Sequence, residues 1–540
     1  MQKPHPVILF GFLAALFAVL GGISVLKGGL YIGKHEGDTL HLMQIVFRMA
    51  DGEWPHLDFM TPIGALAFAP IVLFVTLGFG IGKSIIFAQL LVAAALLPMA
   101  WWVGVSRLSA RLAFLFGAFV MVLALALVHG EAQPSVSVSM HYNRWAWAFA
   151  FVAIALALLP ATRSSPAVVD GVIIGVALAA LAMIKATYFA AFIGPVLLAL
   201  VLRGQFRSLF IALFTGLSIA AAITLFAGVG YWFAYFADLL AVARSEVRAA
   251  PGLNLEAVIG APAYLGGSLV AFASVILLRQ AGQKTGGLVV LLLLPGFFYV
   301  TYQNFGNDPQ WMWLLAVLLF ALRPVRGITN SLGWDMRSAI GVLATAALAF
   351  SAPSFVNLAY SPFRHYSVSV ADYAPVLPRD GRNADLQTVA VRANRVDAGI
   401  ALDEPGSGLE VYAERAERDS TGTLMGETLA RCELMIGLPA WFDAIVTDLE
   451  NAGFANGARI FAADLFSSFW LFGDLRPLEK GAPWYYGGLP GFDSADYVLV
   501  PLCPVSLKIR KQILDEINAR DDIVLTEVRR TPLYILLKKG

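Results

Sequence analysis

The chain has 540 residues, of which 58% are hydrophobic and 14% charged, with a formal net charge of +1 and a mean hydropathy of +0.71. Soluble surfaces are richer in charge, so this composition excludes an ordinary water-soluble enzyme, and the balanced charge with no basic stripe offers nothing to nucleic acid. The charge is also unevenly spread, since more than half of the Asp, Glu, Lys and Arg residues follow Pro353. The expected fold is a polytopic α-helical membrane module over 1–353 with a C-terminal soluble α/β domain over 354–540.

In chain order, Val7–Leu26 is an apolar run of about 20 residues, enough to cross ~30 Å of hydrocarbon. No small-residue cleavage site precedes Lys27, so the run reads as a retained anchor. Further apolar runs follow as far as Ala352, and cations mark alternate connections: Arg107/Arg111, Arg163, Arg203/Arg207, Arg279/Lys284 and Arg323/Arg326/Arg337. The positive-inside rule makes that side cytoplasmic and exports the tail, to the periplasm in a Gram-negative cell envelope. Parity then favours Ile63–Phe79 lying at the outer face as an interfacial helix, which leaves about eleven spans, over twelve spans with a weak charge bias.

The outer loop 28–83 concentrates acidic residues directly after the first span. Thr39–Ala50 has helical periodicity, with Leu42, Ile45, Val46 and Met49 on one face. Asp38 and Thr39 fit a cap and first turn, Asp51-Gly52 a stop, and Trp54-Pro55 a turn and interfacial anchor. A carboxylate here suits a general base as well as a cap; Glu36 and Asp58 also suit a solvated loop and a turn.

Other polar groups fall on the same side. His141-Tyr-Asn-Arg144 opens a span, where Arg144 suits either a phosphate or a snorkelling anchor beside His141, Tyr142 and Asn143. Lys185 interrupts an apolar stretch, the usual mark of a functional ionisable group in a membrane. Arg244 and Arg248 are four apart on an amphipathic segment and suit a phosphate or lipid headgroups. Asn304, Asn307 and Asp308 occupy a polar turn fit for sugar hydroxyls or simply for turning.

In the tail, Trp441–Asn451 and Ser506–Ala519 read as helices, Ala458–Leu465 and Asp496–Leu502 as strands, and Ile523–Arg529 with Leu533–Lys538 as a hairpin. This alternation favours an α/β sandwich. Asn383–Glu433 is polar and reads as a long flexible segment. Trp470, Trp484, Tyr485 and Tyr486 suit core packing or a sugar platform. Cys432 and Cys503, the only two cysteines, are compatible with one disulfide or with two buried thiols.

An acidic residue just after the first span, a short helix, Gly-x-Trp-Pro, then Asp-Phe and a Pro-led apolar helix resembles the pattern of GT-C glycosyltransferases. That class includes aminoarabinose transferases, protein O-mannosyltransferases and oligosaccharyltransferase catalytic subunits. The resemblance covers about the first 200 residues, and Ile184-Lys185-Ala-Thr matches the class's Thr-Lys-Gly-Pro turn only in its Lys and setting. It implies an inverting transferase that takes sugar from a polyprenyl-phosphate donor among membrane lipids and passes it to a glycan, lipid or protein hydroxyl. It further implies that Asp38 is a base or binds a divalent metal (Mg or Mn), with Lys185 and Arg144 near the phosphate. Glu36-Gly-Asp38 departs from the common Asp-Glu pair, which leaves the role between the two carboxylates. A transporter or flippase of lipid-linked glycan, and a non-catalytic envelope assembly subunit, are the competing readings.

Overall fold

The computed structural model describes residues 3–130, 133–162, 166–247, 256, 260–303, 308–415, 420–520 and 522–540. Among these residues, seven helices are long and apolar enough to cross a membrane: Pro6–Leu26, Ile81–Arg107, Ala167–Ile184, Phe206–Ala227, Pro262–Gln280, Lys284–Tyr302 and Met336–Ser367. Ala110–Leu125, Ala186–Leu202 and Trp311–Leu322 are shorter apolar helices beside them. His141–Leu158 is the central helix, with every one of its residues buried. Phe206–Ala227 lies at the periphery, where Phe214, Leu225 and Phe226 are largely exposed. An apolar helix with so little cover has the surface of a lipid-facing element rather than of a soluble core.

The segment expected to lie flat is short. Ile63–Phe79 becomes a turn of 3-10 helix, Ala65–Ala67, followed by Ala69–Thr76. Eight helical residues rise only ~12 Å, well under a bilayer core. The connections segregate as the alternating cations suggest. At one end Thr162 N–H donates to Ser106 O, Arg203 to Leu158 O, Asn330 to Gln280 and Trp101 to Pro6 O. At the other, Gly33 N–H donates to Val136 O and Gly64 N–H to Ile184 O, while Leu127 N–H donates to Ser361 Oγ.

The change of composition at Pro353 is not a structural break. Met336–Ser367 runs as one helix through Pro353 and Pro362, so the strand-containing region begins after Ser367. Its main sheet has five strands in the order Leu525–Arg530, Tyr534–Lys539, Tyr497–Pro501, Ala458–Ala462, Leu475–Arg476. Tyr497–Pro501 pairs antiparallel with Tyr534–Lys539 and parallel with Ala458–Ala462. Side chains alternate across it as the pleat requires. Ile460, Ala462, Leu499 and Leu536 meet Trp441, Phe442 and Ile445 of the Leu438–Asn451 helix. Phe461, Val498, Val500, Ile535 and Leu537 meet Ile509, Ile513 and Leu514 of the Leu507–Asn518 helix. The result is a helix–sheet–helix sandwich.

Asn383–Glu433, expected to hold a long flexible segment, has regular structure among its described residues. It contributes strands Leu386–Val389, Asp397–Ile400, Thr423–Leu424 and Glu427–Thr428, because short strands paired at a domain edge need few apolar residues. Cys432 and Cys503 form a disulfide, with Cα atoms 4.6 Å apart and a sequence separation of 71. Cross-linking a loop of that size stabilises by ~4 kcal/mol in the chain-entropy model. Cys432→Ser is therefore expected to lower the temperature at which the region beyond Tyr373 becomes trypsin-sensitive, and alkylation of unfolded, unreduced wild-type protein should label no cysteine.

Candidate functional site

The outer loop and the strand-containing region are built as one piece. Leu30–Ile32 leaves the first helix as a strand and pairs parallel with Leu386–Val389, which Tyr373–Pro375 extends on its other edge. Asp385 then caps the Ile81–Arg107 helix, accepting from Gly82 and Lys83 N–H at 3.1 and 2.8 Å. A carboxylate at a helix N-terminus satisfies orphan donors and complements the dipole. A Cβ at Gly82 would meet Asp385 O at 2.3 Å, so only glycine lets the two backbones approach.

The loop helix is Glu36–Ala50, and it starts two residues before Asp38. Its N-cap is His35, in the left-handed region at φ 68°. Asp38 is therefore not the cap but a first-turn residue, and its carboxylate is engaged across the chain: Ser139 Oγ donates to Asp38 Oδ2 at 2.9 Å. Ser139 N–H in turn donates to Ser137 Oγ at 3.1 Å, and Ser137 Oγ lies 2.8 Å from His35 Nδ1. Burial above all, with Lys34 and Arg392 nearby, pushes His35 down to about 4, so this imidazole is neutral at pH 7. Met140, just before the His141–Leu158 helix, is also left-handed at φ 52°. Two non-glycine residues in this region flank one site, where such conformations tend to collect.

Asp38, His35, His41, His129, Ser139 and Tyr142 share the wall of a cavity of about 430 Å3. The strand-containing region supplies the facing wall through Leu465, Trp484, Tyr486, Ser506 and Ile509. Trp484 and Tyr486 face the cavity while Tyr485 between them turns into the sheet core and donates to Glu516, the period-two alternation of extended chain. Trp470 is used elsewhere and donates to Gln44 Oε1. Ser506 is set in the wall by the buried Asp464, which accepts from Val505 and Ser506 N–H. Burial pushes that carboxyl up to about 6 despite these bonds.

The other expected site residues separate into two groups. Lys185 breaks the chain between Ala167–Ile184 and Ala186–Leu202 with an extended backbone. It donates to Asn143 Oδ1 at 3.0 Å, with its ammonium 5.4 Å from the Tyr142 ring. Asn143 and Lys185 thus stand together next to Tyr142 of the cavity wall. Arg144 points away from it: fully buried, it donates to the carbonyls of Ala126, Val128 and His129. Those carbonyls lie just past the end of the Ala110–Leu125 helix, and a guanidinium fork is well shaped to hold them. Arg144 thereby ties the chain at His129, which lines the cavity. His141 sets its ring nitrogens against Ala67 O and Val138 O.

Glu36 is likewise taken up by packing. It receives Arg392 Nε and Nη2 at 2.6 and 2.8 Å and Thr388 Oγ1 at 2.7 Å. Burial pushes its carboxyl up, but the Arg392 and Thr388 hydrogen bonds outweigh that and hold it below the usual range. The one-residue spacing explains the division, because neighbours at i and i+2 on a helix face different ways. Glu36 looks toward the tail and Asp38 toward the cavity. Asp58 is a turn residue whose carboxylate accepts from Trp54 N–H. Arg244 is exposed at the end of Gly230–Arg244. Asp308 lies just before Trp311–Leu322 and its carbonyl accepts from Gln310 N–H. Arg248, Asn304 and Asn307 lie outside the described residues.

Sequence reasoning missed His35, His41, His129 and Ser139, since contributions from 35–41 and 129–139 meet only through the fold. Among the described residues no group of three or more His, Cys, Asp or Glu is disposed to hold a metal ion. With Glu36 bound to Arg392, the surroundings of Asp38 among the described residues do not fit a divalent-metal site.

Because the Glu36 carboxyl is depressed in the folded chain, its contribution is complete above the ordinary glutamate range and disappears as pH falls below it. Protease release of the strand-containing region should accordingly rise at acid pH, and Glu36→Gln should raise it at neutral pH and flatten that part of the profile. Comparison of the sequence with protein-family models and with curated proteins finds no match.

Proposed function

We propose that this chain is a membrane glycosyltransferase that moves a sugar from a polyprenyl-phosphate donor to an acceptor hydroxyl at the outer face of a bacterial inner membrane. The carrying observation is Asp38, held by Ser139 in the wall of a cavity whose opposite wall is Trp484 and Tyr486. The cavity has room for a sugar, aromatic faces suit its C–H surface, and a carboxylate stands where an acceptor proton must go.

In this reading the acceptor oxygen attacks the anomeric carbon from the side opposite the phosphate. Its proton passes to Asp38, the new C–O bond forms, and the bond to the phosphate oxygen breaks with inversion. Polyprenyl phosphate leaves as an anion, and the Lys185 ammonium, placed by Asn143 and 5.4 Å from the Tyr142 ring, supplies the stabilising positive charge. Ser139 orients the base and takes no part in bond changes. Hydrophobic access for the prenyl chain comes from the exposed apolar helices, and the periplasmic placement of the tail from the arginines at the far end.

Purified protein in vesicles with a radiolabelled polyprenyl-phosphate sugar tests this. Asp38→Asn keeps the shape and the Ser139 contact but cannot accept a proton, so turnover should fall by ~10²-fold or more. Ser139→Ala should lower turnover about tenfold with little change in KM, as expected of a lost orienting hydrogen bond. Undiminished transfer by Asp38→Asn would remove Asp38 as the base.

A further inference from the structure

The arginines at the opposite end of the helical body do more than mark a side. Two hollows, of about 890 and 530 Å3, lie on either side of a ridge formed by Phe320, Arg323 and Arg337. Arg326 lines the larger and Arg111 the smaller. None of these four guanidiniums is in an ion pair among the described residues, whereas Arg107, close by in sequence, is neutralised by Asp170 at 2.6 Å. The acid in the larger hollow, Asp335, is engaged in capping the Met336–Ser367 helix through Ser338 N–H at 2.9 Å. Across the two hollows four guanidiniums outnumber the single carboxylate in the lining, Asp335.

Beyond the charged groups the lining is mostly apolar, with Ser338 and Thr345 in the larger hollow and Ser109 in the smaller. Val342, Ala346 and Ala349 continue the larger hollow along the helix beyond Arg337, and twelve residues of helix rise ~18 Å. Leu112 and Leu115 floor the smaller one. Around the mouth, Val325, Leu332 and Trp334 are 72%, 70% and 56% exposed, the kind of side chains that sit at a membrane–water interface. Unneutralised guanidiniums at the mouth of an apolar trough match a phosphate carried on a hydrocarbon chain.

We propose that this end of the molecule holds an anionic phospholipid, its headgroup phosphate among Arg111, Arg323, Arg326 and Arg337 and its acyl chain along Val342–Ala349. The site is distinct from the Asp38 cavity. It rests on the membrane placement given above but not on sugar transfer.

The test titrates the full chain in a neutral detergent with phosphatidylglycerol, phosphatidylcholine or inorganic phosphate, counting retained lipid by native mass spectrometry and following the thermal midpoint. Arg323 and Arg337 donate to Phe320 O and Pro324 O, so removing them disturbs the chain itself. Arg111 and Arg326 make no such bond among the described residues, and the double variant Arg111→Gln/Arg326→Gln is expected to keep the fold. Wild type should retain phosphatidylglycerol and be stabilised by it, and the double variant should bind it about tenfold more weakly. Equal retention by the variant, equal retention of phosphatidylcholine, or equal stabilisation by inorganic phosphate each overturns the lipid site. Carbonate extraction of the same protein from membranes reports separately on membrane placement, and the transfer assay on sugar chemistry.

Discussion

Three residues, Leu30–Ile32, determine how the rest of the molecule is arranged. Their backbone groups emerge from the first apolar helix and must find partners, and they find them in Leu386–Val389, more than 350 positions later. That pairing brings the strand-containing region down onto the outer loop, and the contacts that follow are specific. Arg392 clasps Glu36, Gln44 meets Ser468 and Pro483 O, and Arg48 reaches Leu478 O. Each is a buried or half-buried polar group whose desolvation is offset only when the two parts are together.

The site follows from that union. The Glu36–Ala50 helix presents Asp38 and His41, the 129–142 stretch presents His129, Ser139 and Tyr142, and the tail closes the far side with Trp484 and Tyr486. Remove the tail and the part of the wall made by Leu465, Trp484, Tyr486, Ser506 and Ile509 is lost. A region that composition marks as a separate aqueous domain is thus a component of the cavity, with a core that runs without interruption into the helical body. Its disulfide and its buried Asp464 hold the facing wall in one shape.

The helical body has chemistry of different character at its two ends. At the outer end, carboxylates and imidazoles stand among aromatic rings. At the other, Arg111, Arg323, Arg326 and Arg337 line two hollows and, among the described residues, make no ion pair. Charge alone can draw an anion to the second, whereas the first sets a carboxylate among imidazoles and aromatic rings.

Apolar runs, alternating cations and the α/β elements of the tail were legible in the sequence because they depend on local periodicity and on the cost of burying charge. The same parity argument marked Ile63–Phe79 as non-spanning, and Ala69–Thr76 is short enough to agree. Local rules also named Asp38, but for a mixture of reasons: the helix begins at Glu36, and Asp38 is held by Ser139, a hundred residues away, rather than by its own backbone. Arg144 and Glu36 show the limit most clearly. Each is a charged group in the expected place, and sequence cannot tell whether a charge there serves a ligand or an internal partner. Three carbonyls at 126–129 and one guanidinium at Arg392 are the internal partners, and they reach these residues only when distant segments pack. Sequence by itself determined which segments avoid water and which carry charge, since those are properties of side chains. Tertiary structure alone decided which charges face one another, since hydrogen bonds across the fold depend on separations that chain order does not encode.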